Sequence, residues 1–219
     1  MKRPLIINFK NYGEASAAST VKLAKAAQKV AERSKVEIIV APPQPALALV
    51  ARSVSVPVFC QHLDSEKDGS TTGYFVPEIA KSYGAVGSLI NHSEHRIELK
   101  SIAVLVDRMR KLGMTSVVCA RTPHEVMEMS VFGPDYVAIE PPELIGSGKA
   151  VSKENPAIIS KSIEAAGSRT KVICGAGITD KDDVRAAIKL GSRGILVASG
   201  VVKAESWAAK IAELASGMK

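Results

Sequence analysis

The sequence has 219 residues, of which 46% are hydrophobic and 23% are charged, and this ordinary balance excludes a disordered chain. The formal net charge is +7, but lysines and arginines are scattered along the chain and only 4% of residues are aromatic, so a nucleic-acid partner is not indicated. A positive surface favours solubility, and it would also attract a small anionic substrate.

Signals for targeting and for disulfides are both weak. The sequence contains no run of about eighteen apolar residues and no signal-peptide pattern after Met1, so we expect no membrane partner and a cytoplasmic location. The cysteines are Cys60, Cys119 and Cys174, and none belongs to a CxxC pair. An odd number of cysteines without paired spacing argues against a disulfide framework and against a zinc site.

Eight short apolar runs rich in β-branched residues occur along the chain. They lie at Leu5–Phe9, Val36–Ala41, Val56–Cys60, Val86–Asn91, Thr115–Ala120, Asp135–Glu140, Lys171–Gly175 and Arg193–Val197. Continuous apolar runs of this length are typical of parallel strands that are buried on both faces.

Longer segments with helical spacing lie between these runs. The clearest are Ala17–Arg33, Ser93–Lys111, Lys181–Leu190 and Glu205–Ala215. In the second of these, Ile97, Val104, Leu105 and Met109 should share the buried face. Asp180 and Ser152 are suitable helix-capping residues near two predicted helix starts.

The alternation predicts an α/β fold, specifically a small (β/α)₈ barrel formed by one domain over residues 1–219. An open, doubly wound sheet is the alternative. It would usually need fewer strands, and no GxGxxG follows the first strand here.

In such barrels the active site lies where the strands end, so polar residues at strand ends are the candidates. The candidates are Asn8, Lys10, Asn11, Gln61, His62, the segment Asn91-His92-Ser93-Glu94, Glu140, and the loops Gly175-Ala176-Gly177 and Ala198-Ser199-Gly200. Lys10 supplies a cation, His92 a hydrogen-bond donor and Glu140 a base, while the last two loops offer backbone N–H groups for phosphate. Proton abstraction next to a carbonyl requires this combination.

Each of these residues also has a simpler interpretation, since a lone lysine is usually a solvated charge and a lone histidine is usually structural. His92 and His95 are three residues apart and could share a helix face, but no third metal ligand has suitable spacing. No GxSxG motif or Ser–His–Asp arrangement is evident. We therefore expect neither a metal nor a cofactor.

Several motifs, in this order, resemble the triosephosphate isomerase family, most closely its archaeal branch. They are Asn8-Phe9-Lys10, Thr71-Thr72-Gly73, His92-Ser93-Glu94 with Arg96, Cys119, Glu140-Pro141 with Ile145-Gly146-Ser147-Gly148-Lys149, and the glycine loop after strand seven. The resemblance implies isomerisation of dihydroxyacetone phosphate to glyceraldehyde 3-phosphate, with no cofactor.

The resemblance also implies roles for individual residues. Glu140 would be the base, His92 would polarise the carbonyl, Lys10 would stabilise the anionic intermediate and Glu94 would hold these groups in place. The substrate-binding residues would be Asn8, Lys10, Ile145, Gly146, Gly177, Ala198 and Ser199. Because a helical pattern follows His92, we expect its ring to lie near a helix N-terminus, where the dipole disfavours the charged imidazolium.

The long polar segment Gln61–Gly73 resembles the family's interdigitating loop, which implies a homo-oligomer, either a dimer or a tetramer. The sequence departs from the common pattern at Pro142-Glu143-Leu144, at Cys174-Gly175-Ala176-Gly177, which lacks the hydroxyls that latch the lid, and at Ala198-Ser199. Two alternatives stay open at this point, namely another phosphate-binding barrel enzyme, such as an indole-glycerol or thiamin phosphate synthase, and a non-catalytic barrel that serves as a binding subunit.

Overall fold

The computed structural model describes residues 3–144, 148 and 150–219. Within these residues eight parallel strands form one sheet in the order β2-β1-β8-β7-β6-β5-β4-β3. They are β1 Leu5–Asn8, β2 Ile38–Ala41, β3 Phe59–Cys60, β4 Gly87–Ile90, β5 Thr115–Ala120, β6 Tyr136–Ile139, β7 Lys171–Cys174 and β8 Ile195–Val197. A parallel bridge between Val40 and Val58 joins the two sheet edges and closes the barrel. Each strand lies within a predicted run, so the predicted (β/α)₈ fold is confirmed.

The described residues contain ten α-helices, which follow the strands. They are α1 Ala18–Ser34, α2 Leu47–Ser53, α3 Pro77–Ser82, α4 Leu99–Lys111, α5 Pro123–Ser130, α6 Val151–Glu154, α7 Pro156–Ala166, α8 Lys181–Lys189, α9 Ser199–Val202 and α10 Trp207–Gly217. None of them is both long and apolar enough to cross a membrane.

Side chains alternate between the inside and the outside of the barrel along each strand. In β1, Leu5 and Ile7 belong to the large apolar cluster that includes helix residues, whereas Ile6 belongs to a separate, smaller cluster. Only strand residues make up the smaller cluster, which fills the barrel interior. Tyr136 and Ala138 of β6 are part of it. The two-residue period of a strand therefore aims Glu140, which follows β6, into the mouth of the barrel.

Helix α4 begins later than the sequence predicted. It starts at Leu99 instead of Ser93, and its buried face is formed by Ile102, Leu105, Val106 and Met109, while Val104 is 42% exposed. The prediction failed because polar groups before the helix bond to the strand end. The backbone N–H of Ile97 donates to Asn91 Oδ1 at 3.1 Å, and Arg96 donates to the Asn91 carbonyl at 3.0 Å.

One of the two predicted helix caps is correct. Asp180 caps α8 and forms a reciprocal capping box with Asp183. Ser152 does not cap a helix, because α6 begins at Val151 after Ala150. Its hydroxyl donates instead to the carbonyl of Asp183 at 3.1 Å, which ties α6 to α8.

Candidate active site

A cavity of about 300 Å³ opens at the carboxyl ends of the strands. It brings together seven of the ten residues to which the resemblance assigned a role, namely Asn8, Lys10, His92, Glu140, Gly177, Ala198 and Ser199. Glu94 lines a neighbouring cavity and reaches Lys10. Ile145 and Gly146, the remaining two predicted site residues, lie outside the described residues.

Lys10 is held in an unusual backbone conformation just after β1. Its φ angle is +47°, a left-handed value that costs about 1–3 kcal/mol for a residue with a side chain. Two side chains support this conformation, since Asn8 Oδ1 accepts the Lys10 N–H at 2.9 Å and Gln61 Nε2 donates to the Lys10 carbonyl at 3.0 Å. Lys10 Nζ lies 2.7 Å from Glu94 Oε1. The ammonium is thereby fixed at the mouth of the barrel.

The His92 ring is oriented by a backbone hydrogen bond. The N–H of Glu94 donates to His92 Nδ1 at 3.2 Å, and a ring nitrogen that accepts a hydrogen bond carries no proton. The neutral ring must therefore carry its hydrogen on Nε2, which lies 3.7 Å from Glu140 Oε1. The expected helix N-terminus is wrong as the explanation, because α4 starts only at Leu99. The turn that follows β4 decides instead which ring nitrogen accepts, and it leaves Nε2 on the side of Glu140.

Glu140 is a buried carboxylate with one unpaired oxygen. The residue is 3% exposed, and among the described residues its Oε2 has no hydrogen-bond partner. Its backbone N–H donates to the Ala120 carbonyl at 2.8 Å, which continues the strand pairing beyond β6. Burial and the neighbouring Glu140 carboxylate raise the pKa of Cys119 well above its usual value, so this thiol stays protonated beside Glu140. Glu140 lines the cavity, and a buried carboxylate with spare acceptor capacity is suited to accept a proton.

Glycine at position 175 makes room for this carboxylate. A Cβ atom there would lie 2.6 Å from Glu140 Cγ and 3.1 Å from Glu140 Oε1. The end of β7 therefore packs directly against the side chain of Glu140. Any larger residue would displace that side chain.

The opposite end of the cavity offers main-chain groups. Gly177 has a φ of +70°, and α9 begins at the cavity with Ala198 as its N-cap. Among the described residues, the N–H groups of Ser199 and Gly200 have no hydrogen-bond partner. Free N–H groups at a helix start attract anions, so this end is suited to a phosphate. Lys203 also lines the cavity, and its Nζ lies 4.8 Å from the centroid of the Tyr12 ring.

The sequence analysis missed the contributions of three residues. Gln61 supports Lys10, Gly175 accommodates Glu140 and Lys203 adds a cation at the rim. Gln61 and Gly175 were identified as strand-end residues, but their roles depend on contacts across the barrel. Lys203 is the C-cap that follows the four-residue helix α9, and no feature of the sequence pointed to it.

A second cavity of about 370 Å³ lies beside the first and shares Asn8, Lys10 and His92 with it. Its remaining wall includes Gln61 and Glu94 and a stacked pair of histidines, His62 and His95, whose ring centroids are 3.8 Å apart. Burial lowers the pKa of His62, and its hydrogen bond to Asp64 opposes this shift only in part.

Comparison with known proteins agrees with this geometry. The family model described as triosephosphate isomerase matches residues 4–215. The chain belongs to the triosephosphate isomerase family. Among its relatives, the triosephosphate isomerase of Cenarchaeum symbiosum is 52% identical over 216 residues, covering 98% of this chain and 97% of the relative. That of Methanosarcina barkeri is 46% identical over 213 residues, covering 96% of each chain. That of Methanocaldococcus jannaschii is 41% identical over 213 residues, covering 96% of this chain and 97% of the relative.

Membership of the triosephosphate isomerase family resolves the alternatives that the sequence left open. The match extends over nearly the whole barrel, so neither another phosphate-binding barrel enzyme nor a non-catalytic binding subunit accounts for it. The relatives named above are archaeal, as the resemblance implied.

Proposed function

We propose that this member of the triosephosphate isomerase family interconverts dihydroxyacetone phosphate and D-glyceraldehyde 3-phosphate, a step of glycolysis and gluconeogenesis, with Glu140 as the base. Lys10 and His92 meet the negative charge that develops on the substrate oxygen, and Glu94 holds Lys10. Asn8, Gly177, Ala198 and Ser199 bind the substrate, together with Ile145 and Gly146.

The reaction moves one proton between adjacent carbons. A Glu140 carboxylate oxygen takes the proton from the carbon next to the carbonyl, and the electrons of the C–H bond form an enediolate. His92 Nε2–H and the Lys10 ammonium donate to the oxygens on which the charge builds up. The hydroxyl proton must also pass from one substrate oxygen to the other, and His92 can relay it by giving its Nε2 proton to one oxygen and taking the hydroxyl proton of the other. Glu140 then returns its proton to the neighbouring carbon, so no group is consumed. Donors that are already in place lower the barrier because they need no reorganisation during the reaction.

The observation that carries this proposal is the convergence of an ammonium, an imidazole and a buried carboxylate on one cavity. The three side chains come from the ends of β1, β4 and β6, which are far apart in sequence. His92 Nε2 and Glu140 Oε1 are 3.7 Å apart, so the donor and the base stand side by side on the cavity wall, where they can reach the oxygen and the neighbouring carbon of one substrate.

The variant Glu140→Asp tests the assignment of the base. Shortening the side chain by one methylene withdraws the carboxylate from the substrate carbon, so we expect kcat to fall by about 10²- to 10⁴-fold while KM changes little. The measurement is a coupled isomerase assay in both directions. Glu164→Asp is the matched control, because Glu164 is exposed on α7. Normal turnover in Glu140→Asp would remove Glu140 from this role.

We further propose that the protein is a homo-oligomer in which the polar loop Gln61–Gly73 of one copy enters the second cavity of another copy. The loop projects from a fixed base, since the N–H of Phe75 donates to Asp64 Oδ2 at 2.7 Å and Arg108 donates to the carbonyl of Ser65 at 3.2 Å. Residues 67–74 beyond this base are exposed. The second cavity adjoins Lys10 and Glu94, so a docked loop would also support the active site.

The variant Thr71→Trp tests this assembly. An indole is too large to replace a threonine at the tip of a docked loop, so we expect the parent to have at least the mass of a dimer by light scattering and the variant to dissociate at the same concentration. Lys161→Trp, on the exposed face of α7, is the control. A monomeric parent, or a variant with the parent's mass, contradicts the proposal.

Two further proposals concern the chain as a whole. A cytoplasmic location is supported by the glycolytic role and by Cys60, Cys119 and Cys174, which are free and buried. A single domain over residues 1–219 is supported by the one sheet to which all eight described strands belong.

A further inference from the structure

Asp183 is a buried carboxylate on α8 that shapes the loop leading from β7 to this helix. The residue is 1% exposed, and its Oδ2 accepts hydrogen bonds from the Thr179 N–H and the Thr179 hydroxyl, both at 2.9 Å, and from the Asp180 N–H at 3.2 Å. Thr179 lines the active-site cavity, as does Gly177 in the same loop. The negative charge of Asp183 therefore lies directly behind the part of the wall that faces the phosphate.

Lys153 compensates this charge from the other side of the loop. Its Nζ lies 2.6 Å from Asp183 Oδ1 and 3.5 Å from Asp180 Oδ2. Lys153 belongs to α6, and two more bonds fix this helix to the same loop: the Val151 N–H donates to the Ala176 carbonyl at 3.3 Å, and the Ser152 hydroxyl donates to the Asp183 carbonyl at 3.1 Å. The ion pair and these two hydrogen bonds together connect α6 to the loop that leads from β7 to α8 and to the start of α8.

The charge on Asp183 is present at neutral pH. Burial alone would raise its pKa, but the Lys153 ammonium and the donors of Thr179 and Asp180 together hold the pKa below its usual value. A buried carboxylate that is ionised next to an anion-binding wall would repel the phosphate. A nearby ammonium removes this repulsion and leaves the hydrogen bonds that shape the loop intact.

We propose that Lys153 and Asp183 are positioning residues for the substrate phosphate. Asp183 shapes the loop 177–180, and Lys153 cancels the charge of Asp183. This inference rests on the proposed phosphate end of the active site. Neither residue lines the cavity, so both act through the loop. Their contribution concerns the binding of the phosphate and leaves the proton transfer at Glu140 unchanged.

Replacing Lys153 by methionine tests the inference, because this change keeps most of the side chain and removes the charge. We expect KM to rise by about tenfold, with kcat within about twofold of the parent. Lys153→Arg should restore KM. Lys161→Met, on the exposed face of α7, is the matched control and should behave as the parent does. A Lys153→Met enzyme with the parent's KM, or one that loses kcat alone, overturns the proposal.

Calorimetric titration with inorganic phosphate separates this inference from the proposed function, because it needs no turnover. We expect Lys153→Met to bind phosphate about tenfold more weakly than the parent and than Lys161→Met. The double variant Lys153→Met/Asp183→Asn should recover most of this loss, since the uncompensated charge is gone and the amide oxygen can still accept from Thr179. Equal affinity in parent and Lys153→Met, or a double variant no better than the single one, contradicts charge compensation, whatever the isomerase assay shows.

Discussion

The two ends of the active-site cavity are built from different parts of the chain. At the ends of β1, β4 and β6 the groups that we propose to act on the substrate are side chains, namely those of Lys10, His92 and Glu140. At the ends of β7 and β8 the groups that we propose to bind it are main-chain N–H groups, at Gly177 and at the start of α9. The type of residue decides the chemistry at the first end. At the second end the conformation of the backbone decides it, and this favours glycine at Gly177, where φ is +70°, and at Gly200, where a Cβ atom would lie 2.8 Å from the Ile178 carbonyl oxygen.

The two ends meet where Gly175 contacts Glu140. We expect Gly175→Ala to lower kcat by about 100-fold, because a displacement of the base by roughly 1 Å is enough for such a loss. A Cβ atom at this position would lie 2.6 Å from Glu140 Cγ. Steady-state kinetics measure the effect, and KM should change less than kcat because the phosphate end is untouched.

Gly13→Ala is the matched control for this variant. A Cβ atom at Gly13 meets no atom within 4 Å, and the φ angle of Gly13 is not in the left-handed region. If Gly175→Ala retained the parent's kcat, Glu140 would have room to move without loss, and the close packing of the two ends would have no catalytic importance.

The contrast between the side-chain end and the main-chain end of the cavity also explains which parts of the site could be predicted from the sequence. Lys10, His92 and Glu140 could be predicted because a strand period and a strand end fix the direction of a side chain. The predicted helix N-terminus beside His92 was wrong, since α4 begins only at Leu99 and the ring is oriented by a bond from the Glu94 backbone. That bond requires the turn at Asn91, where φ is +59°, and no local pattern announced this turn.

The fold likewise contains features that the sequence predicts well and features that it does not. The predicted strand positions were accurate because buried β-branched runs are distinctive. The predicted start of α4 was wrong, because the residues before Leu99 have helical spacing but bond to the end of β4. Likewise, Ser152 is a suitable cap by composition, yet its hydroxyl bonds to Asp183 across the barrel mouth. A bond to the end of the preceding strand decided the first of these helix starts, and a contact between α6 and α8, which are distant in sequence, decided the second.

A comparison of three substitutions at Ser199 tests whether main-chain groups bind the substrate at the phosphate end. If the N–H group does the binding, Ser199→Ala should leave KM within about twofold of the parent. Ser199→Asp should raise KM by at least about tenfold, because it places a carboxylate where the phosphate is held. Ser199→Asn, which is similar in size to the aspartate variant but uncharged, separates charge from bulk. A large loss in Ser199→Ala would show that the hydroxyl binds the phosphate, and the two ends would then be less different than we infer.

The smallest expected effect concerns stability near the side-chain end, where His62 stacks on His95 in the second cavity. Burial lowers the pKa of His62 in the folded protein, whereas in the unfolded chain its ordinary value of 6.5 applies. As the pH falls below 6.5, the unfolded chain binds a proton that the folded protein does not, so stability should decrease, by a slope of at most about one proton. Denaturant unfolding between pH 7.5 and about 5 measures this slope. His62→Gln should flatten it, whereas His124→Gln, at an exposed position on α5, should leave it as in the parent. Equal slopes in the parent and in His62→Gln would mean that the stacked ring takes up its proton without unfolding, and the wall of the second cavity would then tolerate a charge.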